Sequence, residues 1–201
     1  MKIRRLITLL IVLCACYSIG STISDKENLQ KSLIRLHVIA NSDSDIDQAR
    51  KLMVRDAVID YLQPKVEKIK NKEQAKILIE SELQNIESVA NRTLTQADAP
   101  EKAKVTLSTE YYDTRLYDTF KLPAGVYDSL KITIGEHKGK NWWCVVFPSL
   151  CLPATTDSFE SVAVSAGFDS RLANTLSENR KFEIRFFLLD FLGRIEKVVC
   201  N

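Results

Sequence analysis

Two cysteines and both tryptophans of this 201-residue chain lie within one short run, residues 141–151. Thiols this close in sequence can stay inert in a core, bind a metal, or close a small loop in an oxidising compartment. A loop closed by Cys144 and Cys151 would contain Pro148, and Cys200 could compete for either partner. We expect a disulfide between Cys144 and Cys151 if the chain meets an oxidant.

The adjacent tryptophans, Trp142 and Trp143, fall in a run whose residue types are typical of a β-strand. Because side chains alternate along a strand, the two indoles should point to opposite faces. One is then expected in the core. The other could anchor a partner protein, because aromatic residues are frequent in the hot spots of interfaces.

His37 and His137 are the two histidines of the chain, and they lie far apart in sequence. A hydrolytic site needs a base beside a nucleophile, and the sequence carries no local signature of such a family. We therefore predict no catalytic residue and no cofactor. The rival interpretation is a secreted hydrolase that uses His37 with Asp43 or Cys144.

A short polar run follows the first predicted strand and consists of Asn41, Ser42, Asp43 and Ser44. Its alternating oxygens resemble the start of a calcium loop. However, Ile46 and Leu52 occupy the positions where such a loop has its glycine and its bidentate glutamate. The run therefore predicts a turn and a helix cap, and we expect no metal site.

Residues 1–21 have the composition of a secretory signal. Lys2 and nearby arginines precede an apolar run, and Ser18 and Gly20 suit a cleavage site. The alternatives are an uncleaved membrane anchor and an envelope lipoprotein attached through Cys16. Membrane contact is expected only through this segment, and only if it stays uncleaved. Residues 22–201 mix lysine with glutamate, which does not indicate a nucleic-acid partner.

The remaining pattern predicts an α+β fold, with a mostly antiparallel sheet covered on one face by amphipathic helices. Strands are expected at residues 33–40, 104–112, 130–135, 142–147 and 182–188, with the third and fourth forming a hairpin. Helices are expected at 45–62, ended by Pro64, and at 72–94. A short closing helix is predicted from Phe191 to Val199. Residues 22–201 should form a single domain.

Each of the two long predicted helices has residues that recur along one face. In the first helix, the residues near one face are Ile46, Ala49, Met53, Ala57 and Tyr61. In the second, apolar residues at helical intervals are Ala75, Leu78, Ile79, Leu83, Ile86, Val89 and Ala90. Asn71 and Gln74 have the spacing of a capping box at the start of this second helix.

Several segments in this order resemble one known family. They are IRLHVIANSDS at residues 34–44, EYYDTR at 110–115, LPAGVY at 122–127 and NWWCVVFP at 141–148. Together they make the chain similar to stage II sporulation protein R of endospore-forming Firmicutes. Ser149 departs from the family, which more often has a second proline there.

The resemblance implies a signalling role rather than catalysis. Members are made in the forespore and exported into the intermembrane space, where they activate a membrane-embedded aspartic protease of the mother cell. That protease removes the pro-segment of the sigma-E precursor. Exposed loops, arginines and aromatic residues are common recognition elements. The resulting candidates for the contact with this receptor are Asn41, Ser42, Asp43, Ser44, Arg115, Trp142 and Trp143.

Overall fold

The computed structural model describes residues 2–117, 120–148, 164, 170, 176 and 184–199. The elements in these ranges are α1 (Lys2–Ser32), β1 (Ile34–Ile39), α2 (Asp45–Val66), α3 (Lys72–Gln96), β2 (Ala103–Tyr112), β3 (Arg115–Leu116), β4 (Lys121–Leu122), β5 (Gly125–Ile134), β6 (Asn141–Phe147) and α4 (Ile184–Val199). They form an α+β fold, as predicted. None of the described helices is both long enough and apolar enough to span a membrane.

The main sheet has the strand order β2-β5-β1-β6. β5 is antiparallel to β2 and parallel to β1, and β1 is antiparallel to β6. The predicted hairpin between β5 and β6 is therefore wrong, because β1 lies between them. All six residues of β1 are buried, which fits a central strand.

The segment that joins β5 to β6 crosses the end of β1. The amide of Lys138 donates to the carbonyl of Asn41 over 3.1 Å, and the amide of Gly139 donates to the carbonyl of Ala40 over 3.0 Å. A Cβ on Gly139 would collide with the backbone of Ser42. Glycine at position 139 thus lets this segment pass close to the chain that leaves β1.

Helices α2 and α3 pack on one face of the sheet and bury an aliphatic core. The predicted face of α3 is confirmed, since its buried residues are Ala75, Ile79, Ile86, Ala90 and Leu94. The predicted face of α2 is wrong at two of its residues, although Tyr61 does pack against the core. Ile46 and Met53 are exposed, and the helix buries Asp47 and Lys51 together with its valines. Hydrogen bonds satisfy these two charged side chains, so the apolar period alone misplaced the face.

Pro64 does not end α2, which continues to Val66. Proline lacks a backbone N–H, so Pro64 removes one backbone hydrogen bond, and the amide of Glu67 still donates to the carbonyl of Gln63 over 3.0 Å. The cap of α3 is as predicted, because the Asn71 side chain accepts from the Gln74 amide over 2.9 Å.

Helices also contact the second face of the sheet, where none were expected. α4 and the C-terminal part of α1 pack against each other and against β5. The predicted strand at 182–188 is wrong for residues 184–188, which begin α4, while residues 182–183 lie outside the described ranges. The closing helix is confirmed. Gly193 permits it, because a Cβ there would collide with the carbonyl of Ala124.

Candidate functional site

The polar run after β1 is a hydrogen-bonded cap on α2. The Ser44 hydroxyl accepts from the Asp47 amide over 3.2 Å. The Asp47 carboxylate in turn accepts from Ser42 Oγ over 2.6 Å and from Asn41 Nδ2 over 2.9 Å. These two bonds, first that from Ser42, hold the pKa of Asp47 below its ordinary value, although burial opposes them. The predicted turn and helix cap are confirmed.

The same turn also holds the segment between β5 and β6. Asn41 Oδ1 accepts from the Glu136 amide over 2.9 Å, and Asp43 Oδ1 accepts from the Lys140 amide over 2.6 Å. Gly135 has a positive φ of 55°, and a Cβ there would collide with the Asn41 side chain. Asn41 and Asp43 therefore join three parts of the chain, and their role in binding a receptor stays a prediction.

Trp143 lies on the second face of the sheet, in a stack of planar groups. Its indole is stacked on the His37 ring at an interplanar angle of 22°, with centroids 3.7 Å apart, and meets the Tyr112 ring edge-on at 4.9 Å. The Arg115 guanidinium lies 4.8 Å from the indole centroid. Two receptor candidates, Trp143 and Arg115, are thus in contact with each other, and Trp143 is partly buried.

Both ring nitrogens of the buried His37 have partners. Nδ1 lies 3.0 Å from Glu110 Oε2, and Nε2 lies 2.9 Å from Asn141 Oδ1. Glu110 also accepts from Lys131 Nζ over 2.6 Å. Burial alone would raise the pKa of Glu110, but the hydrogen bonds from His37 and Lys131 lower it to about 2. Glu110 is therefore a carboxylate at neutral pH, shared by two nitrogen donors.

Arg35 is fully buried beside this cluster. Its guanidinium carbon lies 3.9 Å from the ring centroid of Tyr112 and 5.2 Å from that of Tyr127. Nη2 donates to the Tyr117 hydroxyl over 2.7 Å, whereas Nε and Nη1 have no hydrogen-bond partner within the described ranges. Aromatic rings thus take much of the place that a carboxylate usually has around a buried arginine.

Trp142 lies on the opposite face, at the edge of the sheet beside α2. It is 38% exposed, and the Arg55 guanidinium lies 4.2 Å from its ring centroid. Arg55 is also paired with Asp56 at 2.6 Å. The opposite orientation of the two tryptophans confirms the prediction from strand alternation. Trp142 is the more accessible of the two tryptophans.

The rival hydrolase does not match this geometry. Cys144 is buried in the aliphatic core below α2 and α3, whereas His37 is on the other face of the sheet. Asp43 is bonded to the Lys140 amide, and the acidic partner of His37 is Glu110. No group of three His, Cys, Asp or Glu side chains suited to a metal occurs in the described part of the chain.

The predicted pairing of Cys144 cannot be followed further in the structure, because Cys151 lies outside the described residues. It stays a prediction, and so does the competition from Cys200, which also lies outside them. Cys16 is exposed on α1.

The sequence analysis did not predict the side chains that contact His37 and Trp142. Glu110 and Asn141 flank His37, and Arg55 covers Trp142. One signal was available: Arg35 and His37 alternate with apolar residues along β1, so both had to share a second face. The pairing of Glu110 with His37 could not be predicted from the sequence, because β5 lies between β2 and β1 in the sheet.

The fold and the site define a small α+β protein whose buried histidine belongs to a structural cluster. A family model described as stage II sporulation protein R matches residues 30–157. The chain therefore belongs to the stage II sporulation protein R family.

One curated relative shows the extent of the likeness. The chain is 41% identical over 118 residues to stage II sporulation protein R of Bacillus subtilis (strain 168). This alignment covers 59% of the chain and 53% of the relative, so the chain spans about half of that protein's length. No solved structure matches the chain.

Proposed function

We propose that this protein is an exported signal of sporulation. In this proposal it leaves the forespore, enters the intermembrane space, and activates a membrane-embedded aspartic protease of the mother cell. The activated protease then removes the pro-segment of the sigma-E precursor. The observation that carries the proposal is membership of the stage II sporulation protein R family, which supports a role in sporulation.

The proposed activation needs no chemistry in the signal itself. A protein that binds the active state of a receptor more tightly than the inactive state shifts the receptor toward activity. The histidine cluster supports this mode, because the ring nitrogens of His37 are occupied by Glu110 and Asn141. We therefore assign to this domain a role in binding rather than in bond cleavage.

We place the centre of the receptor contact at Trp142. Its indole is accessible, it lies on the terminal strand of the sheet, and Arg55 lies over its ring. Tryptophan and arginine are enriched among the residues that dominate binding energy at interfaces. Trp143 and Arg115, on the other face, support the same strand, and the turn at residues 41–44 fixes its beginning through Lys140.

Reconstitution tests this proposal. The full chain is produced together with the candidate protease and the sigma-E precursor, and removal of the pro-segment is followed by immunoblot. We expect processing only when all three proteins are present. Processing that proceeds equally well without this chain would show that it is not the activating signal.

The contact surface is tested separately with Trp142→Ala, and the matched control is Ile46→Ala on α2. Both side chains are exposed, so both variants should fold. Truncating a hot-spot residue typically costs 2 kcal/mol or more, so we expect roughly a thirtyfold loss of apparent affinity for the receptor in Trp142→Ala alone. Equal potency of both variants would remove Trp142 from the contact while leaving the signalling proposal intact.

Export and thiol chemistry have their own measurement, the mass of the protein recovered from sporulating cells. Cleavage near Gly20 shortens the chain, lipidation at Cys16 adds acyl mass, and an uncleaved anchor leaves the full mass. Peptide mapping without reductant reports whether Cys144 is joined to Cys151. A Cys200 adduct would replace the proposed pairing.

A further inference from the structure

The outer side of α4 carries a stripe of large apolar residues. Phe187 is 68% exposed, Phe191 51% and Ile195 44%, and each is one turn of helix beyond the previous one. The rings of Phe187 and Phe191 are nearly parallel, with centroids 6.5 Å apart. An exposed apolar stripe of this kind usually marks a contact surface.

The opposite side of α4 is already used for packing within the domain. Leu189 is fully buried, and Gly193 lies against the carbonyl of Ala124. The Asp190 carboxylate accepts from the Ala124 amide over 2.9 Å. The orientation of α4 is therefore fixed from inside, and Phe187, Phe191 and Ile195 are not needed for its attachment.

The charges of α4 are divided between the two sides of the helix. Its sequence has two carboxylates, and both face the domain: Asp190 binds Ala124, and Glu196 accepts from Gln30 and Lys26 of α1, each over 2.9 Å. By contrast, the side chains of Arg194 and Lys197 are more than half exposed. Asp190 and the exposed Asp113 are their respective partners. The solvent-facing side of α4 is thus apolar and basic.

The helix that packs beside α4 has a similar surface. α1 contacts α4 through Lys26 and Gln30. Further toward its N-terminus, α1 has exposed leucines and isoleucines, and these follow Arg4 and Arg5. Two neighbouring helices therefore combine exposed apolar side chains with basic ones.

We propose that the outer face of α4 binds the surface of an anionic lipid bilayer. Helices with aromatic and aliphatic residues on one face and arginine or lysine beside them lie in the headgroup region, where basic residues attract anionic lipids. The inward position of both carboxylates of α4 reduces the repulsion that such a surface would otherwise create, although the exposed carboxylate of Asp113 remains beside Lys197. A lipid surface fits this chemistry better than a second copy of the chain, because pairing two basic stripes would bring like charges together.

Quenching by brominated lipid tests the proposal in the full chain. Phe187→Trp introduces an indole on the outer face of α4, and Ile77→Trp introduces one at a similarly exposed position, 65% in the wild type, on α3. Each variant is added to phosphatidylglycerol vesicles with and without brominated acyl chains. The wild-type signal from Trp142 and Trp143 is subtracted. We expect loss of emission from the indole at position 187 and none from the indole at position 77.

A second variant separates this surface from contact through α1 alone. Adding Phe191→Ser and Ile195→Ser to Phe187→Trp should abolish the quenching, while α1 still attaches the chain to the vesicle. Phosphatidylcholine vesicles should give at least a severalfold smaller loss of emission, because they lack the anionic charge. Equal quenching at positions 77 and 187, or none at 187, overturns the proposal.

Sedimentation without lipid tests whether a second copy of the chain binds the outer face of α4 instead. We expect the wild type and the double variant Phe191→Ser, Ile195→Ser to have the same mass in solution. A wild-type dimer that becomes monomeric in this variant would assign the face to a second copy of the chain and overturn the lipid proposal.

Discussion

The two faces of the central sheet bury different kinds of side chain. Below α2 and α3 the buried side chains are almost all aliphatic, and they come from both helices and from the four strands of the sheet. On the other face, Arg35, His37 and Ser129 are buried among tyrosines and Trp143. The first face depends on the removal of apolar surface from water, and the second on directed contacts between specific groups.

Because of this difference, the two faces should differ in how well they tolerate substitutions. Aliphatic burial has no preferred direction, so side chains of similar volume can replace one another at modest cost. A buried arginine or histidine is different, because losing one partner leaves a polar group without compensation. Substitutions on the two faces should therefore differ in kind: packing energy on the first, and pH dependence and hydrogen bonding on the second.

The largest effect is expected on the aliphatic face. Ile79→Ala removes a fully buried side chain and should lower the free energy of unfolding by about 2–5 kcal/mol, with no dependence on pH. Ile77→Ala, two residues away and exposed, should change it by less than about 0.5 kcal/mol. Urea denaturation measures both. Similar losses in the two variants would contradict the division between core and surface on α3.

The next effect should appear on the second face as a dependence on pH. Glu110 has a folded pKa of about 2 against an ordinary value of 4.5, so its carboxylate stabilises the fold above pH 4.5. That contribution is lost as the pH falls toward 2. Glu110→Gln should cost up to about 3 kcal/mol at pH 7 and almost nothing near pH 2.

The measurement is the urea midpoint of wild type and Glu110→Gln between pH 7 and pH 2. The two curves should converge as the pH falls. Glu80→Gln is the control, because Glu80 is exposed on α3; its curve should stay parallel to that of the wild type. Parallel curves for Glu110→Gln as well would show that His37 and Lys131 do not stabilise the charged form.

A smaller effect should follow from the buried hydroxyl pair on the same face. Tyr112 Oη lies 2.6 Å from Ser129 Oγ, and burial raises the pKa of Tyr112, so the phenol stays neutral. Tyr112→Phe keeps the ring against Arg35 and should cost about 1–2 kcal/mol in urea denaturation. Tyr111→Phe, in the neighbouring position, is the control. An unchanged free energy for Tyr112→Phe would mean that the ring alone stabilises this face.

The sequence predicted those features that depend on local signals. The face of α3, the caps at Asn71 and Ser44, and the opposite orientation of the tryptophans all follow from spacing within one element. The errors arose where distant parts meet. β1 enters between β5 and β6, and α2 buries Asp47 and Lys51 because the turn and the Lys140 carbonyl satisfy them.

The same limit applies to the candidate site. Alternation along β1 indicates that Arg35 and His37 share one face, but their partners come from β2, β5, β6 and the segment around Tyr117. The beginning of α4 was misread as a strand because Phe182, Ile184 and Phe186 alternate with Glu183 and Arg185, although this alternation covers only five residues. In the structure α4 packs closely against Ala124, and no local sequence pattern contains that contact.

The smallest effect is predicted for the cap at the beginning of α2, near the end of the sheet. The Ser44 hydroxyl caps α2 by accepting from the Asp47 amide. Ser44→Ala should therefore cost about 1 kcal/mol in urea denaturation. Ser88→Ala is the matched control, because the Ser88 hydroxyl donates to a carbonyl within α3 and alanine favours a helix interior; it should be neutral or slightly stabilising. Equal losses in both variants would indicate that the cap adds nothing beyond an ordinary surface serine. A loss well above 1 kcal/mol for Ser44→Ala would instead show that the change also disturbs the bond from the Lys140 amide to Asp43, so that the turn stabilises the β5–β6 segment as well as α2.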